Sequence, residues 1–279
     1  MAARHSARYR RPMPHAPAVG TLIRHWRQHR RWSQLDLAGE AEVSTRHLSC
    51  LETGRALPSR EMLLRLAERL QVPLRERNQW LTSAGYAPMF GERAWGDAAL
   101  GAAHGVVQRV LQGHEPYPAL AVDRHWNLLA HNRAVGHLLQ GLPAELLAPP
   151  VNVLRLSLHP QGLAPRILNL AEWREHLLER LAHQVQASGD PVLAALAHDL
   201  HALPAPQGRV PRDPPGRPSV AVPLQLASPA GTLSFISTIT VFGTPVEVTL
   251  SELAIEAFFP ADEATAAALS ALATQAPPG

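Results

Sequence analysis

The segment from Ser33 to Arg55 concentrates side chains that can donate hydrogen bonds to an external partner. Its second half, STRHLSCLE, places hydroxyl, guanidinium and imidazole groups at neighbouring positions, while Leu48 and Leu51 recur three residues apart. In a helix that spacing buries the leucines and leaves the polar side chains exposed. The guanidinium of Arg46 matches guanine O6 and N7 bidentately, and it can equally bind a phosphate. The residue types therefore predict hydrogen bonding to a nucleic acid.

These side chains must be positioned by short, well-capped helices. Ser33 is a good N-cap for the first of two helices, with Asp36 three residues on in an approximate capping box, and Ser44 caps the second. Two short helices joined by a turn of about 3–4 residues form a helix-turn-helix unit that fits a major groove. Helices predicted at Ser59–Leu70 and Leu74–Ala84 complete an all-α bundle of five helices.

Several short motifs in and just after this segment form one recognisable set: Ser33-Gln34, Leu37-Ala38, Val43-Ser44, Leu51-Glu52, Thr53-Gly54-Arg55 and Pro58-Ser59. With these motifs the segment resembles the lambda-repressor-like, xenobiotic-response-element (XRE) type of helix-turn-helix transcription regulator. The resemblance implies that Gln34 contacts a phosphate, that Thr45 and Arg46 contact base edges, and that Cys50 makes a further contact one turn on.

The same resemblance implies a structural brace between Arg27 and Glu52. Gly39 departs from the family pattern, because a glycine inside a helix costs about 1 kcal/mol relative to a better helix former. For Thr45 and Arg46 a phosphate contact remains the alternative to a base contact, and His47 contacts the DNA backbone or is simply exposed. Four further arginines lie where phosphates should run, or are solvated surface charges: Arg24, Arg30, Arg31 and Arg55. The predicted DNA-binding residues are Gln34, Ser44, Thr45, Arg46, His47, Ser49, Cys50, Arg55, Arg24 and Arg31.

Charge and composition support this organisation. Residues 1–90 carry 15 arginines and 7 acidic residues, whereas residues 91–279 carry 11 and 16. A basic first third favours a polyanionic partner, so we predict a flexible basic arm at 1–18 and a DNA-binding domain at 19–88. No apolar run approaches the roughly 18 residues of a membrane span, and one cysteine excludes an intramolecular disulfide. We expect a cytoplasmic protein without a membrane partner.

The remaining chain, 100–279, alternates helical and strand-like patterns, which predicts an α+β domain. Seven prolines in the stretch His201–Pro223 indicate a loop. In the run Thr232–Phe242, apolar residues alternate as in a half-buried strand. Helices are predicted at Gly105–Gln112, Arg133–Leu139, Asn152–Leu158, Ala164–Ala187, Pro191–His201 and Ala264–Thr274, and strands within Pro118–Ala130 and at Ala221–Ala227, Thr232–Phe242, Val246–Leu250 and Leu253–Phe259.

Residues 117–139 and 152–181 resemble the ligand-binding domain of MmyB-like regulators. The resemblance implies a PAS-like fold with an apolar pocket that accepts a fatty acid or another hydrophobic small molecule. From their chemistry, the aromatic side chains are predicted to wall the pocket, and a polar side chain to anchor a carboxylate or carbonyl. Core packing is the alternative for the aromatics, an N-cap for the asparagine and a structural turn for the histidine. The predicted residues are Trp126, Trp173 and Phe235 for the walls, and Asn132, His159 or Arg166 for the anchor.

Other classes of function find little support. The chain has no Gly-x-Ser-x-Gly elbow, P-loop or GxGxxG motif, so we predict no enzyme and no cofactor beyond a bound hydrophobic molecule. His198 and His201 lie three residues apart, but no third ligand motif accompanies them, and no metal site is predicted.

We expect a homodimer that binds an inverted-repeat operator with half-sites about 10 bp apart. A ligand would change the relative positions of the two DNA-binding domains of this dimer. A C-terminal domain that binds another protein instead of a small molecule remains the alternative.

Overall fold

The computed structural model describes residues 18–204 and 221–275. These residues divide into two compact units, one formed by the described residues up to Glu92 together with Val246–Val248, and the other by the rest. The predicted arm, apart from Ala18, lies outside the described residues, as does most of the proline-rich stretch between His201 and Pro223.

The first unit is a helical bundle, and its described residues confirm the predicted all-α fold. Its helices are α1 (Val19–His29), α2 (Gln34–Glu40), α3 (Thr45–Glu52), α4 (Arg60–Arg69) and α5 (Leu74–Ser83). The helices pack around one apolar core, which provides most of the stability of such short helices. Its most buried side chains include Ile23, Leu37, Leu48, Leu51, Leu66, Trp80 and Leu81.

Helices α1 and α3 approach each other closely at Gly20. A β-carbon at this position would lie 2.2 Å from the backbone oxygen of Leu51. Since a carbon cannot approach a backbone oxygen so closely, only glycine fits here without moving a helix. The glycine therefore sets the distance between α1 and the helix predicted to contact DNA.

The rest of the described chain confirms the predicted α+β fold. Its helices are α6 (Gly101–Gly113), α7 (Arg133–Leu139), α8 (Val153–Leu158), α9 (Leu170–Ser188), α10 (Pro191–Ala202), α11 (Val248–Ser251) and α12 (Glu263–Gln275). Its strands are β1 (Ala119–Val122), β2 (Leu128–His131), β3 (Leu224–Ser228), β4 (Gly231–Val241) and β5 (Ala254–Pro260).

The strands form one antiparallel sheet in the order β2-β1-β5-β4-β3. Side chains of β1 alternate between its faces, as the pleat of a strand requires. Leu120 and Val122 join a core cluster that includes Leu177 and Leu181 of α9. Ala119 and Ala121 join a second cluster with α6. The sheet is therefore covered on both faces, and the larger core lies on the side of α9.

The helix predicted over Ala164–Ala187 is wrong at its start. A 3-10 turn at Ala164–Arg166 is followed by an extended segment, and α9 begins only at Leu170. Ile167 bridges to Leu226, and the backbone N–H of Leu168 donates to the Gln225 carbonyl at 2.8 Å. Pairing with β3 therefore replaces the first turns of the expected helix.

Two predictions for the C-terminal strands also need correction. The strand predicted over Val246–Leu250 is wrong, because the chain turns there into α11. Val248 is buried while Val246 is 80% exposed, so the alternation of valines marks no sheet face. In β4, Ile239 and Val241 are 45% and 62% exposed rather than half-buried. Among the described residues, β3 pairs only with the part of β4 from Gly231 to Phe235. Ile239 and Val241 lie in the part of β4 that extends beyond β3.

Candidate nucleic-acid interface and ligand cavity

The first turn of α3 presents polar side chains outward. Ser44 caps the helix by accepting a hydrogen bond from the backbone N–H of His47 at 3.1 Å. Ser44, Thr45, Arg46 and His47 are all exposed, while Ser49 is half-buried. The buried Leu48 and Leu51 hold the opposite face in the core. The structure thus brings four of the predicted DNA contacts, Ser44 to His47, together at one accessible helix end.

A buried ion pair ties α1 to the end of α3. Arg27 Nε and Nη2 donate to the two carboxylate oxygens of Glu52 at 2.6 and 2.9 Å, and Nη1 donates to the Trp32 carbonyl at 2.8 Å. Gln34 Nε2 also donates to Glu52, at 2.8 Å. The amide of Gln34 has a second N–H, which can still donate to a phosphate as the family resemblance implies. The predicted brace residues are therefore in direct contact.

Charge and hydrogen bonding keep Glu52 ionised. Burial alone would raise the pKa of its carboxyl group, but hydrogen bonds from Arg27 and Gln34, and the charges of Arg27 and Arg24, outweigh it. The pKa of Glu52 therefore lies below its usual value.

At the start of α2 the predicted capping box is confirmed: Ser33 Oγ accepts from the Asp36 N–H at 3.1 Å, and the Asp36 carboxylate accepts from the Ser33 N–H at 2.8 Å.

The other predicted DNA-binding residues differ in exposure. Arg24, Arg31 and Arg55 are exposed, and Cys50 is half-buried near the end of α3. Arg30 also lies in the sequence region where phosphates were expected. It instead donates to the carbonyls that end α4, with Nε 3.0 Å from the Leu70 oxygen. A guanidinium at a helix C-terminus stabilises the helix, and this placement gives Arg30 a structural role.

The second unit contains an apolar cavity between the sheet and its helices. Its atom-free space is about 740 Å³, a volume that includes open solvent. Most of its lining side chains are leucine. The lining residues are Pro118, Leu120, Leu128, Val135, Leu138, Leu139, Val153, Leu154, Leu156, Ser157, Leu163, Trp173, Leu177, Arg180, Leu224, Leu226, Phe235, Glu256 and Phe258.

Two of the three predicted wall aromatics line this cavity, Trp173 and Phe235. Trp173 is held in place because its indole N–H donates to Ser157 Oγ at 3.0 Å. Trp126 is buried but is not among the lining residues. Its indole N–H donates to Gln184 Oε1 at 2.7 Å, and the Arg180 guanidinium carbon lies 4.3 Å from its ring centre. Trp126 therefore supports the cavity wall from behind.

The three predicted anchors lie elsewhere than the cavity lining. Asn132 caps α7 by accepting from the Val135 N–H at 3.3 Å, and its amide donates to the Tyr117 and Leu111 carbonyls at 2.7 and 3.2 Å. His159 Nδ1 accepts from a backbone N–H two residues on, at 3.1 Å. Arg166 Nη1 donates to a backbone carbonyl at 2.7 Å. All three bind the protein's own backbone.

The polar groups that do line the cavity were missed at the sequence level. They are Ser157, Arg180 and Glu256 among the described lining residues. Arg180 lies on α9 and its Nη1 donates to Glu256 Oε1 of β5 at 2.9 Å. Charged residues on an amphipathic helix ordinarily face solvent, so the pattern LLERLAHQ gave no signal that Arg180 is mostly buried.

Within the described ranges, no three histidine, cysteine, aspartate or glutamate side chains come together in a way that could hold a metal ion. No described helix combines the length and the apolar character needed to cross a membrane.

Comparisons with known families agree with the two units. A family model described as "MmyB-like transcription regulator ligand binding domain" matches residues 104–272, and a "Helix-turn-helix domain" model matches residues 18–80. Both domains occur in transcription regulators, and the matches confirm the resemblance seen in the sequence. No curated protein matches the chain.

Proposed function

The chain belongs to the family of MmyB-like transcription regulators, and from this premise we propose that it regulates transcription by binding a specific DNA sequence and a small hydrophobic ligand. The helix-turn-helix domain binds double-stranded DNA in the cytoplasm. The second domain binds a fatty-acid-like molecule in its cavity and catalyses no reaction. Ligand binding and DNA binding are coupled. The ligand changes the affinity of the protein for DNA, and DNA changes the affinity of the protein for the ligand by the same factor.

The observation that carries the DNA proposal is the capped, exposed first turn of α3. Arg46 is exposed there, so its guanidinium can reach the edge of a guanine. A contact to a base edge distinguishes one DNA sequence from another, whereas a contact to a phosphate does not. Arg46→Ala is expected to cost about 1–3 kcal/mol of specific binding and to relax the preference at one base. Fluorescence anisotropy on a selected operator and on single-base variants measures both effects, with Arg69→Ala, an exposed arginine outside the predicted set, as control. Equal weakening on every sequence would identify Arg46 as a phosphate contact.

The observation that carries the ligand proposal is the leucine-rich cavity with few polar groups. Burial of an aliphatic chain there stabilises a complex by about 0.8 kcal/mol per methylene group. Native mass spectrometry of the full-length protein, before and after organic extraction, tests it. A removable adduct that is identified in the extract as an aliphatic molecule supports the proposal. If neither an adduct nor binding of added aliphatic molecules is detected, a protein partner becomes the better account of this domain.

We further propose that the functional species is a homodimer on an inverted-repeat operator. Two helix-turn-helix units related by a twofold axis place their α3 helices in successive major grooves, about 10 bp apart. Sedimentation velocity of the free and DNA-bound protein measures the stoichiometry. A single protomer both free and on a complete operator would refute the dimer.

A further inference from the structure

The Arg180 guanidinium is held at the cavity wall by neighbours from other elements. Its Nη1 donates to Glu256 Oε1 at 2.9 Å, and its central carbon lies over the Trp126 ring, 4.3 Å from the ring centre. Trp126 is in turn fixed by the hydrogen bond from its indole to Gln184. A guanidinium held by an ion pair and by contact with an aromatic ring is preorganised, because little side-chain freedom remains to be lost on binding.

Two donors of this guanidinium lack an acceptor. Nε and Nη2 of Arg180 are buried, and neither has a hydrogen-bond partner in the described part of the protein. They form one edge of the guanidinium fork, the edge that receives a carboxylate bidentately. Arg27 shows the same edge in use, because its Nε and Nη2 hold the two oxygens of Glu52. A buried charged donor without an acceptor destabilises a protein, so a ligand oxygen here would relieve a real cost.

We infer that Arg180 is the head-group residue of the cavity and selects aliphatic carboxylic acids. This inference rests on the proposed function, because it assigns a head-group contact to the ligand of the same cavity. The leucine walls bind the aliphatic chain, and the Nε and Nη2 edge binds the carboxylate. An alcohol presents a single oxygen and no charge, so it cannot engage the edge bidentately. The anchors expected from the sequence are committed to backbone groups, which leaves Arg180 to this role.

Glu256 positions Arg180 and also limits its affinity for an anion. Its side chain is 4% exposed, and its carboxylate takes up one donor of Arg180. The negative charge opposes a second carboxylate at the same guanidinium. Replacement by glutamine retains an acceptor oxygen for Nη1 and removes the charge. Glu256→Gln is therefore expected to strengthen the binding of an acid and to leave the binding of an alcohol unchanged.

Isothermal titration of extracted, full-length protein with decanoate and with 1-decanol tests the inference, since the two probes share one chain length. The wild-type protein is expected to bind decanoate more tightly. Arg180→Met should weaken decanoate at least about 10- to 100-fold, the loss expected for a single charge-assisted hydrogen bond, with little change for decanol. Arg109→Met, at an exposed position of α6, is the matched control and should change neither affinity.

The outcomes separate this inference from the proposed function. If decanoate binds the wild type and Arg180→Met equally well, the head-group role is refuted while the cavity proposal stands. If neither probe binds the wild type, the cavity proposal fails and the inference fails with it. Should Arg180→Met not fold, Glu256→Gln decides: tighter decanoate binding with unchanged decanol binding supports the role, and unchanged decanoate binding refutes it.

Discussion

Replacing Arg27 with methionine is expected to destabilise the helix-turn-helix bundle by about 3–5 kcal/mol, because the substitution removes one partner of a buried ion pair. The side chains of Arg27 and Glu52 are 10% and 2% exposed, so water cannot easily replace the lost cation. Glu52 would keep the hydrogen bond from Gln34, but it would lose both contacts from the guanidinium. A surface pair would cost at most about 1 kcal/mol, so the two cases are well separated.

Hydrogen exchange of the full-length protein measures this loss locally, at amides of α1 and α3. A loss of 3–5 kcal/mol accelerates exchange by roughly two to three and a half orders of magnitude when opening governs exchange. Arg27→Met combined with Glu52→Leu should recover most of the stability, because replacing both charges with apolar groups is often neutral. Amides of α9 serve as the internal control. A single-variant loss below about 1 kcal/mol would refute the reasoning from burial.

The same pair predicts how the bundle responds to acid. The pKa of Glu52 is lower in the folded protein than its ordinary value of 4.5. Its contribution to stability is therefore complete above about pH 4.5 and is lost as the pH falls through the lowered value. Glu52→Gln should flatten the fall in stability below about pH 4.5, measured by exchange of the same amides. An unchanged slope would assign the acid sensitivity to other carboxylates.

Three further substitutions test the packing of both units. Gly39→Ala should raise the unfolding free energy by about 0.5–1 kcal/mol in urea denaturation, because the position is helical and a β-carbon meets nothing within 4 Å. Gly20→Ala should lower the unfolding free energy and the DNA affinity together, since its β-carbon would lie 2.2 Å from the Leu51 oxygen. Asn132→Ala should lower the melting temperature of the second unit, because it removes a helix cap worth about 1 kcal/mol and leaves the Tyr117 and Leu111 carbonyls without their donor. An unchanged melting temperature would contradict a structural role for Asn132.

The helix-turn-helix unit could be predicted from the sequence because its determinants are local. Ser33 and Ser44 are N-caps whose partners lie three residues away, and Leu48 and Leu51 show the period of one helix face. Each of these signals can be seen within a few residues. The close approach at Gly20 could not be seen in this way, because the atom that excludes a side chain belongs to a helix 31 residues further along the chain.

In the second unit, errors arose where pairing with a distant segment overrode a local pattern. Ile167 and Leu168 have helical neighbours in sequence, but they pair with β3, about 58 residues later. The polar anchors were misplaced for a related reason. An asparagine before a helix fits both an N-cap and a ligand contact, and only the positions of the Tyr117 and Leu111 carbonyls decide that Asn132 binds the backbone.

Arg180 illustrates why a binding group can be invisible in sequence and yet distinct in structure. Its burial depends on Trp126 and Glu256, which lie elsewhere in the chain, and its two buried donors without an acceptor reduce the stability of the empty protein. Binding sites often carry such a cost, and stabilising them commonly lowers function. Arg180→Met combined with Glu256→Leu should therefore raise the melting temperature of the empty protein while abolishing the extra stabilisation by decanoate over decanol. Thermal denaturation with each probe measures both quantities. A double variant that is less stable when empty would show that the ion pair supports the fold itself.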